Sequence, residues 1–206
     1  MKGFSIVGIG TDVGKTLVSM AAVEVLEGAY FKPVQAGDLD KSDTNKVQKW
    51  CSTGIEIIDE VYRLSKPMAP HAAAEIDGVQ IQLEKIIKPK ISRPLIIEGA
   101  GGIFVPLNEK ETMLDLYKKM DLPIILVSRH YLGSINHTFL TIEAIRQAGL
   151  KIAGIVYVGE SSEHSENIID TFYKLKVLGR IALPKELSRA YVQQSANELS
   201  GLRYEI

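Results

Sequence analysis

Cysteine, tryptophan and net charge are all scarce in this chain of 206 residues. The lone Cys51 excludes an internal disulfide and suits a reducing compartment. It follows Trp50 at the end of a helical pattern, where packing accounts for it. A net charge of −1 removes any general electrostatic pull toward nucleic acid or an anionic membrane. No apolar run reaches the roughly 20 residues that a membrane helix needs. The N-terminal stretch has neither the basic region, the long apolar segment nor the cleavage site of a signal peptide. These absences predict a cytoplasmic protein with neither nucleic acid nor membrane as a partner. The four histidines show no metal-ligand spacing. His130 and His164 read as surface residues, and His71 and His137 as hydrogen-bonded structural ones.

What is present is ordinary globular composition, 46% hydrophobic and 24% charged, and enough chain for one α/β domain. Apolar strand-like runs alternate with helical patterns. Strands are predicted over Phe4–Val7, Tyr30–Val34, Pro94–Glu98, Pro123–Val127, Lys151–Val158 and Val177–Ile181. Helices are predicted after the first loop through Glu27, from Ser42-Asp43 to Trp50, and over Gln82–Ile87, Thr112–Met120, Asn136–Ala148, Glu163–Lys176 and Glu186–Leu199. Lys66–Ala74, rich in proline and alanine, reads as a loop. Continuous apolar strands separated by helices predict a single-domain α/β fold, a parallel β-sheet flanked by helices; the glycine-rich Gly8–Thr16 loop between the first strand and a helix makes it of the P-loop NTPase kind. Ligands of such sheets sit beyond the carboxyl ends of the strands, so the residues there carry the functional question.

After the first run comes Gly8-Ile9-Gly10-Thr11-Asp12-Val13-Gly14-Lys15-Thr16, then a helical pattern opening at Leu17. Strand, glycine-rich loop and helix start together form a phosphate cradle, because free N–H groups at the helix start point at an anion. Lys15 can reach the outer phosphates of a nucleoside triphosphate and the Thr16 hydroxyl can bind magnesium. Five residues separate Gly8 from Gly14, one more than in the common motif. After the second run stands Lys32-Pro33-Val34-Gln35-Ala36-Gly37. A lysine at the end of a buried strand either meets an anion or snorkels to the surface. Asp43 opens a helix, as a cap or as a ligand. Glu98-Gly99-Ala100-Gly101-Gly102 places a carboxylate beside the cradle, and magnesium uses few such carboxylates besides waters and phosphate oxygens. Leu132-Gly133-Ser134-Ile135-Asn136-His137 is a helix start that suits an anion such as a carboxylate, or one that Ser134 simply caps.

Together these residues resemble the dethiobiotin synthetase family over nearly the whole chain. The Gly8–Thr16 loop is similar to that family's relaxed phosphate loop, and Lys32-Pro33-Val34 with Gly37 to its second lysine motif. Ser42-Asp43, Pro67-Met68-Ala69-Pro70-His71, the Glu98–Gly102 run and the Leu132–His137 segment follow in the family's order. The resemblance implies a ligase that joins carbon dioxide to 7,8-diaminononanoate using ATP and magnesium. It implies Lys15 and Lys32 as the catalytic cations and Thr16, Asp43 and Glu98 as the magnesium ligands. The nucleotide would be held by Asp12, Val13, Gly14, Lys15, Thr16 and Leu17, with Asp43, Glu98, Gly99, Ala100 and Gly101. The substrate would meet Thr11, Lys32, Ala36 and Gly101, and its carboxylate Ser134 and Asn136 of a neighbouring subunit in a homodimer.

The chain also departs from the family. Asp12 stands where many relatives carry glutamate, and Ala36 where they carry serine or threonine. Val158-Gly159 replaces an adenine-reading Asn-Asp pair, and the later proline is delayed to Pro184. The competing readings are an amide-forming synthetase and a partitioning-type ATPase. The first wants a glutamine-hydrolysing domain, which this length does not accommodate. The second wants a lysine at the start of the loop, where Gly10 stands, and often a terminal membrane helix, for which Tyr191–Ile206 is too polar.

Overall fold

The N-terminal apolar run forms β1 (Gly3–Gly8), every residue of which is buried. The computed structural model describes residues 2–205; Met1 and Ile206, the ends of the predicted 1–206 domain and of the Tyr191–Ile206 segment, lie outside them. The phosphate loop leads into α1 (Lys15–Leu26), which is buried along most of its length. Then come β2 (Ala29–Phe31), β3 (Val34–Ala36), α2 (Asp43–Trp50), β4 (Glu56–Ile58), β5 (Tyr62–Leu64) and α3 (Pro70–Ile76). The second half alternates regularly: β6 (Leu95–Gly102), α4 (Met113–Met120), β7 (Ile124–Arg129), α5 (Ser134–Gln147), β8 (Ile152–Val158), α6 (Glu163–Tyr173), β9 (Val177–Ile181) and α7 (Arg189–Glu198).

Seven strands form one sheet in the order β4-β2-β6-β1-β7-β8-β9, and each pairing is parallel. β1 lies at the centre between β6 and β7. The chain leaves β1 toward one side and later fills the other, so the crevice beyond β1 is the switch point where such sheets bind ligands. The register Ile6↔Glu98 sets the Glu98 carboxylate beside the start of the phosphate loop. The central strands read as unbroken apolar runs because helices cover both faces.

The structure corrects several expectations. Tyr30–Val34 is not one strand. Pro33 has no N–H to give to a ladder; the chain breaks at Lys32-Pro33, β2 stays in the main sheet, and β3 pairs with β5 in a separate two-stranded sheet. The Pro33 carbonyl instead accepts from the amides of Val61 and Tyr62. Lys66–Ala74 is not all loop, since Pro70 starts α3 from its first turn. Gln82–Ile87 yields only a 3-10 turn over Leu83–Lys85. Pro89 disfavours helical backbone at the residue before it, which cuts that segment short. α6 stops at Tyr173 rather than Lys176, where Lys174 turns left-handed. α5 begins at Ser134 rather than Asn136, and α7 at Arg189, capped by Ser188. Cys51 is packed in the core, with burial pushing its thiol up to about 12.

Candidate active site in the groove beyond β1

The phosphate loop is built by two strained or open backbone positions and one clamp. Gly14 precedes α1 at φ 97°, and a Cβ there would lie 2.7 Å from the Val158 side chain. Asp12 is left-handed at φ 57°, and the Arg129 guanidinium donates to its carbonyl at 3.1 Å. Lys15, the first residue of α1, is almost wholly buried and curls back to donate to the Gly10 carbonyl at 2.7 Å. Burial lowers its pKa to about 8, with Glu98 opposing. An ammonium held at that cost is poised for an anion.

Thr16 follows, and its hydroxyl donates to Glu98 Oε1 at 2.8 Å. The Lys32 ammonium lies 3.2 Å from the same oxygen and also contacts Asp43 Oδ2. Burial alone would lower the Lys32 pKa, but Glu98 and Asp43 more than offset it and hold the ammonium above its ordinary value. Lys32 therefore meets anions and does not snorkel. Asp43 is the first residue of α2 and not its cap. Ser42 takes that role, accepting from the Asn45 amide at 3.2 Å. Burial would raise the Asp43 pKa; Lys32 and Lys46 outweigh it and keep the carboxyl well below the usual range. Lys46 sits 2.8 Å from Asp43 Oδ1.

These groups line a groove of about 830 Å³. Thr11, Asp12, Gly14, Lys15, Thr16, Leu17, Lys32, Ala36, Asp43, Glu98, Ala100 and Gly101 all face it. Four of the expected residues do not. Val13 is buried in the core, and Gly99 carries the Tyr117 hydroxyl against it, 1.7 Å from where a Cβ would stand. Ser134 and Asn136 lie outside the groove of the single chain. Gly133 at φ 98° caps α5, so Ser134 is its first helical residue and not its cap. His130 is not a surface residue. Its ring stacks on Tyr157 at 5.3 Å and contacts Glu166 at 3.0 Å.

The sequence reading missed Gln35, Lys46, Leu183 and Leu187, which also line the groove. Gln35 accepts from the Asp43 amide at 3.4 Å and donates to the Gly37 carbonyl at 2.9 Å, bracing the turn that carries Asp43. Lys46 was legible as a helix position three residues from Asp43. Leu183 and Leu187 arrive from the far end of the chain and carry no local sign.

Magnesium is a hard cation that takes oxygen ligands and is held by one or two carboxylates plus phosphate oxygens and water. Two carboxylates meet here on the Lys32 ammonium, and the Thr16 hydroxyl bonds to the same Glu98 oxygen that faces it. That donor set suits the ion. Among the described residues there is no cluster of three or more acidic, histidine or cysteine side chains that would form a closed protein cage.

The AAA domain family matches residues 2–190. An ATP-dependent dethiobiotin synthetase of Christiangramia forsetii is 50% identical over 181 residues, covering 87% of each chain. A second, from Cytophaga hutchinsonii, is 42% identical over the whole of both chains. Among solved structures, the septum site-determining protein MinD of Pyrococcus horikoshii, complexed with Mg-ADP, superposes with a TM-score of 0.62 at 14% identity, covering 100% of this chain and 98% of that one. A plasmid partition protein of Borrelia burgdorferi superposes at 0.60 and 12% identity over both full chains. These remote likenesses establish the P-loop fold alone. The identity to the synthetases, 50% over most of the chain and 42% over all of it, establishes the family: this chain belongs to the dethiobiotin synthetases.

Proposed function

We propose that the chain makes dethiobiotin from 7,8-diaminononanoate, carbon dioxide and ATP. One amine adds to carbon dioxide to give a carbamate. A carbamate oxygen attacks the γ-phosphorus, ADP leaves, and a carbamic-phosphoric anhydride results. The second amine attacks the anhydride carbonyl, closes the cyclic urea and releases phosphate. Carbamate and triphosphate are both anionic, so their meeting needs fixed positive charge in a confined site. The observation that carries the reading is the convergence of Lys15 and Lys32 on one groove, with Thr16, Glu98 and Asp43 between them.

In this reading Lys15 holds the outer phosphates and Lys32 stabilises the charge that develops as carbamate and phosphate join. Thr16, Asp43 and Glu98 hold magnesium, which when bound offsets triphosphate charge and polarises the transferred phosphoryl group. Asp12, the run Gly14–Leu17 and, at the end of β6, Ala100 and Gly101 hold the nucleotide, while Val13 and Gly99 support them from the core side. Thr11, Ala36 and the Gly101 backbone border the diamine, with Ala36 offering only its backbone.

The whole span 1–206 acts as one catalytic domain in a cytoplasmic homodimer. Among the described residues no helix is long and apolar enough to cross a membrane. Ser134 and Asn136 receive the substrate carboxylate of the neighbouring subunit. Tyr131, Leu132 and Leu140 surround that helix start and are exposed, Leu132 completely, which is the surface a second copy would cover.

The test is product formation with diaminononanoate, bicarbonate and magnesium-nucleotide, read by mass spectrometry alongside phosphate release. Dethiobiotin is the expected product. A folded protein that yields none with any common nucleoside triphosphate, or whose hydrolysis needs a protein partner instead, overturns the proposal.

A further inference from the structure

The Glu98 carboxylate has a third partner that lies behind the groove. Tyr30, in the middle of β2, is completely buried, and its hydroxyl donates to Glu98 Oε2 at 2.9 Å. The other oxygen, Oε1, takes Thr16 at 2.8 Å and Lys32 at 3.2 Å. Glu98 itself is 1% exposed. The two oxygens are thus sorted, one toward the core and one toward the groove.

Side chains two apart along an extended chain share a face. Tyr30 and Lys32 obey that period, and both reach the one carboxylate on the neighbouring β6. β2 pairs with β6 in the register Tyr30↔Ile96, which places Glu98 just beyond, level with the approach to Lys32. A phenylalanine would fill the same core volume. A buried hydroxyl instead costs stability unless it is hydrogen-bonded, and its one recorded hydrogen bond is to Glu98. Tyr30 does not line the groove and so touches no substrate.

We infer that Tyr30 is a positioning residue, whose hydroxyl anchors Glu98 Oε2 and thereby turns Oε1 toward the reacting end of the groove. A carboxylate held by three donors has one rotamer; a carboxylate without the tyrosine anchor has freedom to turn and an unsatisfied buried oxygen. The inference rests on the metal role proposed for Glu98.

The experiment compares parent, Tyr30→Phe, Glu98→Gln and the double variant. Binding of a non-hydrolysable ATP analogue is measured by calorimetry with and without magnesium, beside turnover against magnesium concentration. Tyr30→Phe should leave metal-free binding unchanged and cut the affinity gained on adding magnesium about tenfold, the effect of one hydrogen bond to a charged group. The magnesium concentration for half-maximal turnover should rise to match. In the Glu98→Gln background the same substitution should change neither quantity further, because the two residues act as a unit. Tyr30→Met also lacks the hydroxyl; it should show the same loss and serves if the phenylalanine protein does not fold. An unchanged magnesium gain in Tyr30→Phe, with Glu98→Gln impaired, overturns the inference and leaves the metal reading intact. An unchanged gain in Glu98→Gln overturns the metal reading itself. Equal losses with and without magnesium mark Tyr30 as packing only.

Discussion

At the scale of single residues, Lys32 is the charge shared by the buried Glu98 and the half-buried Asp43. Removing it leaves Glu98 in the core without its cation, a change that costs roughly 3 kcal/mol or more in stability. Lys32→Ala should therefore melt at a lower temperature and lose on the order of 10²-fold or more in turnover. Lys15→Ala should lose turnover similarly and bind nucleotide more weakly, whereas Lys32→Ala should bind it nearly as the parent does. Near-parental turnover by Lys32→Ala would remove that lysine from the chemistry. The base end of the groove is argued the same way. Leu183 and Leu187 line the groove, and Val158, which packs on Gly14, stands where the resemblance places an adenine-reading side chain, so a paired hydrogen-bonding site for the base is not expected. A site that reads a base by paired hydrogen bonds rejects others strongly. We expect kcat/KM for ATP, GTP and CTP to agree within about tenfold, a gap of roughly 1.4 kcal/mol. A preference for ATP beyond about a hundredfold would show that other residues read adenine, with Ala182–Lys185 the first candidates.

At the scale of elements, α6 is pinned to the sheet by one carboxylate. Glu166 meets both guanidinium nitrogens of Arg180 from β9 and the His130 ring from the loop after β7. The Arg180 hydrogen bonds bring its pKa from 4.5 down to about 2 against the opposing effect of burial. A carboxyl depressed in the folded state contributes stability that is complete above its unfolded pKa and lost as pH falls through the folded one. The contribution should fade between pH 4.5 and about 2. Arg180 is partly exposed, so solvent screening keeps the effect near 1 kcal/mol or below. Melting temperatures of parent and Glu166→Gln should differ near neutrality and converge at low pH. A gap that persists at pH 2 would place the stabilisation in packing instead. α2 shows how far local pattern reaches. A cap at Ser42-Asp43 was legible, because both side chains can accept from a helix's first free amides; that Ser42 and not Asp43 takes the role was decided by the structure. The break between β2 and β3 was not, because Pro33 shows only that a ladder must end, not which second sheet takes the continuation.

At the scale of the whole molecule, the exposed apolar surface around the start of α5 is the outstanding feature. If this surface forms the proposed dimer, Leu132→Glu should give a monomer by light scattering, with activity falling in step. If subunits share sites, mixed dimers of a Lys32→Ala chain and a chain altered at Asn136 should recover part of the lost turnover. Verified mixed dimers without recovery would mean that each chain completes its own groove.

The sequence by itself determined the parallel α/β sheet, the phosphate loop and most of the strand-end residues that line the groove. Continuous apolar runs, a glycine-rich turn before Lys15-Thr16 and a carboxylate closing an apolar strand each have a local physical cause, and a local cause leaves a local pattern. Only the tertiary structure decided which groups meet. The β1–β6 register brings Glu98 to Thr16 across 82 positions, and the β2–β6 pairing brings Tyr30 and Lys32 to the same carboxylate. Arg129 clamps a loop 117 positions away, and Leu183 closes a groove begun at Thr11. No periodicity or spacing encodes such contacts, because they follow from sheet order and register, which are settled by the packing of the whole core at once.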